Sequence, residues 1–238
     1  MQKNTKEIPS MEALLKAGAH FGYSRTRRHP SIKKSLLGSK NHADIIDLDK
    51  TSEMLEIACD FVRELGKQGK QIIFVGSKPE ARDIVKEAAQ SIDMPFVTER
   101  WIGGTLTNLS EIRKRVERLL QINDEKEKGT IARYTKKERL IIDLELGRLN
   151  RYFFGLISLK SMPGAMFVID SKKEAIAIVE AKNVKVPVIS VSNSDCDVSV
   201  VTYPIVGNDA STSSIKLFVE SIVNAYQEGV SMREEVAK

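Results

Sequence analysis

Apolar positions in this chain fall into two alternating rhythms. Short apolar runs bounded by turn formers occur at 43–48 (A-D-I-I-D-L), 71–76 (Q-I-I-F-V-G), 95–98 (P-F-V-T), 165–170 (A-M-F-V-I-D) and 186–191 (V-P-V-I-S-V). Runs this short and this apolar predict strands buried on both faces, hence a parallel sheet covered by helices. Between them the spacing turns helical: Leu55, Ala58, Cys59, Val62 and Leu65 form the core-facing stripe of one helix. A last helix is predicted over 213–228, with Ile215, Phe218, Val219, Ile222 and Ala225 facing inward. Ser77 with Glu80, and Ser171 with Glu174, have capping-box spacing, and Pro79 suits a first helical turn. A short helix after Ser10, closed by Gly18, lies outside this alternation.

The rhythm breaks between the third and fourth runs. Leu109, Ile112, Val116 and Leu119 keep three-and-four spacing, a polar link runs over 121–134, and Thr135 with Glu138 opens a second helix with Leu140, Leu144 and Leu149 as its seam. Two helices with narrow apolar stripes read as an antiparallel coiled-coil hairpin. The fold class is therefore α/β, a doubly wound parallel sheet of flavodoxin-like or Rossmann-like type carrying an inserted helical hairpin. Residues 1–105 and 155–238 form the core domain, with the N-terminal helix and a basic loop, and 106–154 form the insertion.

Composition narrows what such a fold can do. With 238 residues and 42% hydrophobic positions, the chain can bury a core without disulfides. Its two cysteines, Cys59 on a core stripe and Cys196 between two aspartates, suggest neither a disulfide scaffold nor a zinc set, so a reducing cytoplasm fits. No apolar run approaches a bilayer span, and the start M-Q-K-N-T-K-E-I-P-S lacks the apolar region of a secretory signal. No membrane association is expected.

Charge is the more specific signal. From Arg100 to Lys160 there are 14 Lys/Arg against 8 Asp/Glu, while the whole chain carries +5, so its remainder is close to neutral. A second basic stretch, 19–34, holds five Lys/Arg and no acid, and its spacing fits neither helix nor strand. It reads as an ordered basic loop. Arg25, Arg27, Arg28, Lys33 and Lys34 are interleaved there with Tyr23 and His29, a mixture suited to phosphates and unstacked bases. Arg100, Trp101 and Asn108 flank a Gly-Gly hinge in R-W-I-G-G-T-L-T-N, just before the hairpin, where Arg113, Lys114 and Arg115 follow within two turns. These residues are the candidate RNA contacts, although a helix carrying such charges can equally be a solvated surface.

Enzymatic readings find less support. Gly76, Ser77 and Lys78 stand at a strand-to-helix turn where phosphate could bind, yet neither G-x-G-x-x-G nor a phosphate-binding P-loop occurs. No Ser or Cys lies in a nucleophile frame, so no catalytic residues and no cofactor are expected. His20, Asp195 and Asp197 are the remaining candidates for holding a cation, against the simpler use of loop aspartates in turns.

The residues also resemble a known family. L-L-K-A-G-A-H-F-G at 14–22, I-I-D-L-D-K-T at 45–51, F-V-G-S-K at 74–78, R-W-I-G-G-T-L-T-N at 100–108, T-K-K-E at 135–138, A-M-F-V-I-D at 165–170 and G-N-D at 207–209 are similar, in order, to bacterial small-subunit ribosomal protein two. The resemblance implies a nonenzymatic constituent of the small ribosomal subunit acting in translation. It implies contacts with small-subunit rRNA and neighbouring ribosomal proteins at the head-body junction near the messenger exit, and a role in docking ribosomal protein one. The family commonly has His at Tyr23, Trp-Asn at Arg28 and His29, and Asp at Gly164, so a stacking ring is exchanged for charge in the basic loop.

Overall fold

The computed structural model describes residues 9–236; the N-terminal stretch read above as lacking a signal region lies largely outside them. After α1 (Met11–Lys16), capped by the Ser10 side chain on the Ala13 N–H and followed by Gly18 at φ +71°, come β1 (Phe21–Ser24), β2 (Leu36–Lys40) and β3 (Ala43–Ile46). These pair antiparallel in the order β1-β3-β2 as a separate small sheet. Two expectations are corrected here. The run at 43–48 is not a strand of the parallel sheet: it pairs with local partners, and Leu48 already starts a helix capped by Asp47. The basic loop is also more regular than expected, being β1 followed by two 3-10 turns, Arg25–Arg27 and Pro30–Ser35.

The main sheet contains β4 (Ile72–Val75), β5 (Phe96–Val97), β6 (Ala165–Ile169), β7 (Val188–Ser192) and β8 (Tyr203–Val206), all parallel, in the order β5-β4-β6-β7-β8. Counted within the sheet this is 2-1-3-4-5, the flavodoxin-like order, which reverses direction between β4 and β6. Alternate residues serve two cores because successive side chains point to opposite faces. Phe74, Phe167, Ile169, Ile189 and Ile205 pack towards α2 (Leu48–Gln68), α3 (Pro79–Ser91) and α7 (Thr212–Val236). Ile73, Val75, Met166, Val168 and Val188 meet Trp101, Leu106, Leu156 and the inner side of α6 (Ala175–Asn183). The strand β8 went unexpected; its Pro204 cannot donate to a ladder, which suits the sheet edge it occupies.

The predicted stripes of α2 and α7 are buried in full, and α7 continues beyond the expected 213–228. The two helices clasp closely. A Cβ on Gly66 would lie 2.5 Å from the Tyr226 carbonyl oxygen, and one on Gly229 would lie 2.1 Å from that of Arg63. Two expected capping boxes do not form. The N-cap of α3 is Lys78 and that of α6 is Glu174, neither with a side-chain cap bond. The Ser77 hydroxyl is drawn instead to the buried Glu174 carboxylate, and Ser171 pairs with Ser192 at 2.9 Å. The third box, Thr135 with Glu138, forms as expected at the start of α5 (Lys136–Phe153).

Helix α4 (Leu109–Glu127) packs on α5 through Leu119, Ile122, Leu146 and Leu149, joined by Ile142 and Phe153. Of the expected α5 seam only Leu149 is buried; Leu140 and Leu144 face outward. Arg118 pairs with Glu145 at 3.2 Å and Lys126 with Asp143 at 3.0 Å across the two helices.

Candidate nucleic-acid interface

The small antiparallel sheet is fastened to the main sheet by its own polar residues. Gly22 passes so near Asp44 and Ser194 that a Cβ would stand 3.0 and 3.1 Å from them. The Tyr23 N–H donates to Ser194 Oγ at 2.8 Å, the His29 N–H donates to the Ser194 carbonyl at 2.8 Å, and Val198 N–H reaches Ser31 Oγ at 3.2 Å. His29 Nδ1 stays with Ser31, 3.8 Å from Asp197. Arg28 turns inward: its Nε donates to Asp44 at 2.8 Å, and Nη2 donates to Asp44 and to Ser39. Asp44 is fully buried, and the Arg28 guanidinium holds its carboxyl below the usual range. Of the expected RNA contacts here, Arg28 and His29 thus hold the fold, while Arg25, Arg27, Lys33 and Lys34 remain exposed, joined by Lys40. Asp44 is the sole acid over 19–46, so the outer surface of this unit carries cations alone.

Tyr23 sits between two cations, Arg27 at 5.9 Å and Lys78 at 5.6 Å from its ring centroid, and its hydroxyl accepts from Lys78 at 3.2 Å. Burial raises its hydroxyl pKa. Lys78 in turn bridges Asp170 at 2.8 Å and Asp209 at 2.9 Å. Burial works against its charge, but the two carboxylates hold the ammonium above its ordinary pKa. At the start of α3, where a phosphate would sit, the Ser77 N–H already donates to Glu174 at 3.1 Å. The protein's own carboxylate fills that anion position.

The 100–108 segment is organised by one residue that the sequence reading missed. Glu180, on α6 and 8% exposed, accepts from Trp101 Nε1 at 3.3 Å, Gly104 N–H at 2.7 Å, Leu106 N–H at 3.2 Å and Thr107 Oγ1 at 3.4 Å. Trp101 is only 5% exposed, so it is a buried donor with no ring face free for a base, correcting its placement among the contacts. Gly104 takes φ +94°, a conformation that favours glycine, at the centre of this loop. Arg100 and Asn108 are exposed, Asn108 as the N-cap position of α4. On α4, Arg113 donates to the Lys160 carbonyl and Lys114 pairs with Glu111 at 2.6 Å, while Arg115 points to solvent.

The cation candidates are not gathered into one ligand set. Asp195 pairs with Lys172 at 3.0 Å, Asp197 accepts from the Ser199 N–H at 2.9 Å, and the His20 ring lies against Phe21. The acidic groups that converge are instead Asp170 and Asp209 with Cys196, within 4.8 Å of one another, and Lys78 supplies positive charge between the carboxylates.

The family model for ribosomal protein S2 matches residues 14–229, spanning both sheets and helices α4 and α5. The chain belongs to the ribosomal protein S2 family. A curated relative, the small ribosomal subunit protein uS2 of Endomicrobium trichonymphae, is 42% identical over 223 residues, covering 94% of this chain and 91% of the relative. As an S2-family member the chain is a structural protein and not an enzyme. No helix among its described residues is long and apolar enough to cross a membrane.

Proposed function

We propose that this chain is a structural constituent of the small ribosomal subunit, in the cytoplasm, held on small-subunit rRNA by the cations of its antiparallel sheet. The carrying observation is the exposed set Arg25, Arg27, Lys33, Lys34 and Lys40, within a segment whose one acid, Asp44, is buried and already neutralised by Arg28. A predominantly basic surface draws a polyanion and releases its counterions on contact. Family membership supports the assignment to the subunit. In this reading 106–154 is an inserted coiled-coil arm on an α/β core formed by 1–105 and 155–238, and Arg113, Lys114 and Arg115 extend the contact along it. Asn108 and Arg100 lie where arm and core join. Neighbouring small-subunit proteins, ribosomal protein one among them at the head-body junction, are the protein partners of this proposal.

The test is sedimentation of an epitope-tagged copy from lysate through sucrose gradients at low and high salt. Comigration with the small subunit at low salt and release at high salt supports electrostatic anchoring. Retention at the top of both gradients rejects it. Within that assay, Arg27→Ala with Lys33→Ala should shift release to lower salt, each lost phosphate contact removing about 0.7–0.9 from the log–log salt slope.

A further inference from the structure

The carboxyl ends of β4, β5 and β6 open onto a cleft of about 420 Å³, at the point where the strand order reverses. In open α/β sheets this is where ligands enter. Residues following all three strands line it: Arg82 beyond β4, Glu99 and Arg100 beyond β5, Lys173 beyond β6. Arg151 and Tyr152 reach it from the end of α5. The charge is unbalanced, four cations against Glu99 and the buried Glu174. Glu99 positions two of the cations without exhausting them. Arg151 gives it Nε and Nη2, at 3.2 and 3.0 Å, and Arg82 gives it Nη1 at 3.4 Å while its Nε serves the Ser77 carbonyl. Arg151 Nη1 and Arg82 Nη2 remain available as donors. Arg100 is exposed and has no ion pair among the described residues.

The helix start of α3 cannot take a phosphate here, because Glu174 occupies it, so an anion in this cleft must be held by side chains. The walls are not only charged. Tyr152 carries the Arg151 guanidinium 5.5 Å from its ring centroid, and Ile176 on α6 leaves 61% of its surface exposed. Aromatic and guanidinium planes with an aliphatic neighbour are what an unstacked base settles on, and a fork of arginines is what grips its phosphate. We propose that this cleft takes one nucleotide turned out of an RNA strand, with its phosphate on Arg100, Arg151 and Arg82 and its base against Tyr152 and Ile176. The proposal rests on the RNA-binding reading above and adds a second, built contact on another part of the molecule.

The test measures binding of the full chain to a fluorescein-labelled, mixed-sequence single-stranded RNA decamer, by anisotropy over a series of salt concentrations. Arg100→Ala, at an exposed position, should weaken binding about tenfold and reduce the salt slope by about 0.7. Tyr152→Leu, which keeps apolar volume but removes the ring, should weaken it at least about fivefold and leave the slope unchanged. Both variants should melt like the parent. Arg27→Ala on the antiparallel sheet is the reference. If Arg27→Ala weakens binding while Arg100→Ala and Tyr152→Leu do not, the cleft is wrong and the basic-sheet reading stands. If all three bind like the parent, both fail. Displacement of the decamer by micromolar adenosine monophosphate would make the cleft a free-nucleotide pocket and overturn its assignment to RNA.

Discussion

Removing the Glu180 carboxylate should loosen the 100–108 loop and lower the stability of the whole domain. Its two oxygens divide the work. Oε1 accepts from Trp101 Nε1 and Gly104 N–H, and Oε2 accepts from Leu106 N–H and Thr107 Oγ1. Glu180→Gln keeps the shape but turns one oxygen into an NH2 group, which faces two donors and leaves them without an acceptor. Hydrogen bonds to a charged group contribute roughly 1.5–3 kcal/mol each, and an orphaned buried donor carries a comparable penalty. Losing two of the four should therefore cost at least about 3 kcal/mol. For a domain of this size, about 3 kcal/mol corresponds to a fall in Tm of roughly 6–12 °C. Glu180→Ala orphans all four donors and opens a cavity, so its cost should be greater. Urea unfolding gives the global value. The single Trp of the chain gives the local one, because Trp101 is itself a donor to Glu180 and its emission should move to the red as the loop opens. A loss below about 1 kcal/mol for Glu180→Gln, with emission unchanged, would show that the loop is held by its apolar contacts and that the carboxylate organises nothing.

Three further outcomes follow from the geometry. Arg28→Ala should lower the urea midpoint by stranding Asp44, whereas Arg27→Ala should not; and because Arg28 depresses the Asp44 pKa, this contribution is fully present above the unfolded carboxylate range near pH 4 and is lost as pH falls through the lower folded value, so the two midpoints should converge by acid titration. Leu146→Ala, at 8% exposure in the α4–α5 seam, should cost about 2–3 kcal/mol, while Leu144→Ala, 60% exposed, should stay within about 0.5 kcal/mol in the same unfolding assay. Burial pushes both the Cys59 and Cys196 thiols up to about 12, so neither should react with a thiol reagent at neutral pH until urea unfolds the chain; rapid labelling of native protein would contradict their placement.

Elements whose stability is decided by burial were legible in the sequence. The all-apolar runs that became β4, β6 and β7, and the stripes of α2 and α7, declare themselves because one period satisfies one core. The run at 43–48 misled because I-I beside aspartates looks the same in the middle strand of a small antiparallel sheet as in a parallel sheet; only pairing partners distinguish them. Y-P-I-V at β8 is a short run that contains Pro204, which an edge position tolerates. On α5 the sequence offers two apolar stripes, and the packing of α4 chooses Ile142, Leu146 and Leu149 over Leu140 and Leu144. For the candidate interface, the presence of cations was readable but their employment was not. Arg28 is used up by an aspartate 16 residues away and Trp101 by a glutamate 79 residues away. One signal existed for the latter: Glu180 stands in A-I-A-I-V-E-A, an acid in an otherwise apolar run, and such a residue must find donors when it is buried.

The clasp between α2 and α7 gives the order of synthesis a physical meaning. Helix α2 leaves the ribosome early, yet the surface that sheathes Leu55, Val62 and the inner face of the sheet comes from Phe218, Val219, Ile222 and Tyr226, near the end of the chain. Until those residues emerge, a nascent chain with all five parallel strands complete still shows part of one apolar sheet face to water, and such surfaces attract chaperones or one another. Closure of the core thus waits for α7. A copy terminated within α7 would leave Leu55 and Val62 without the side chains that cover them.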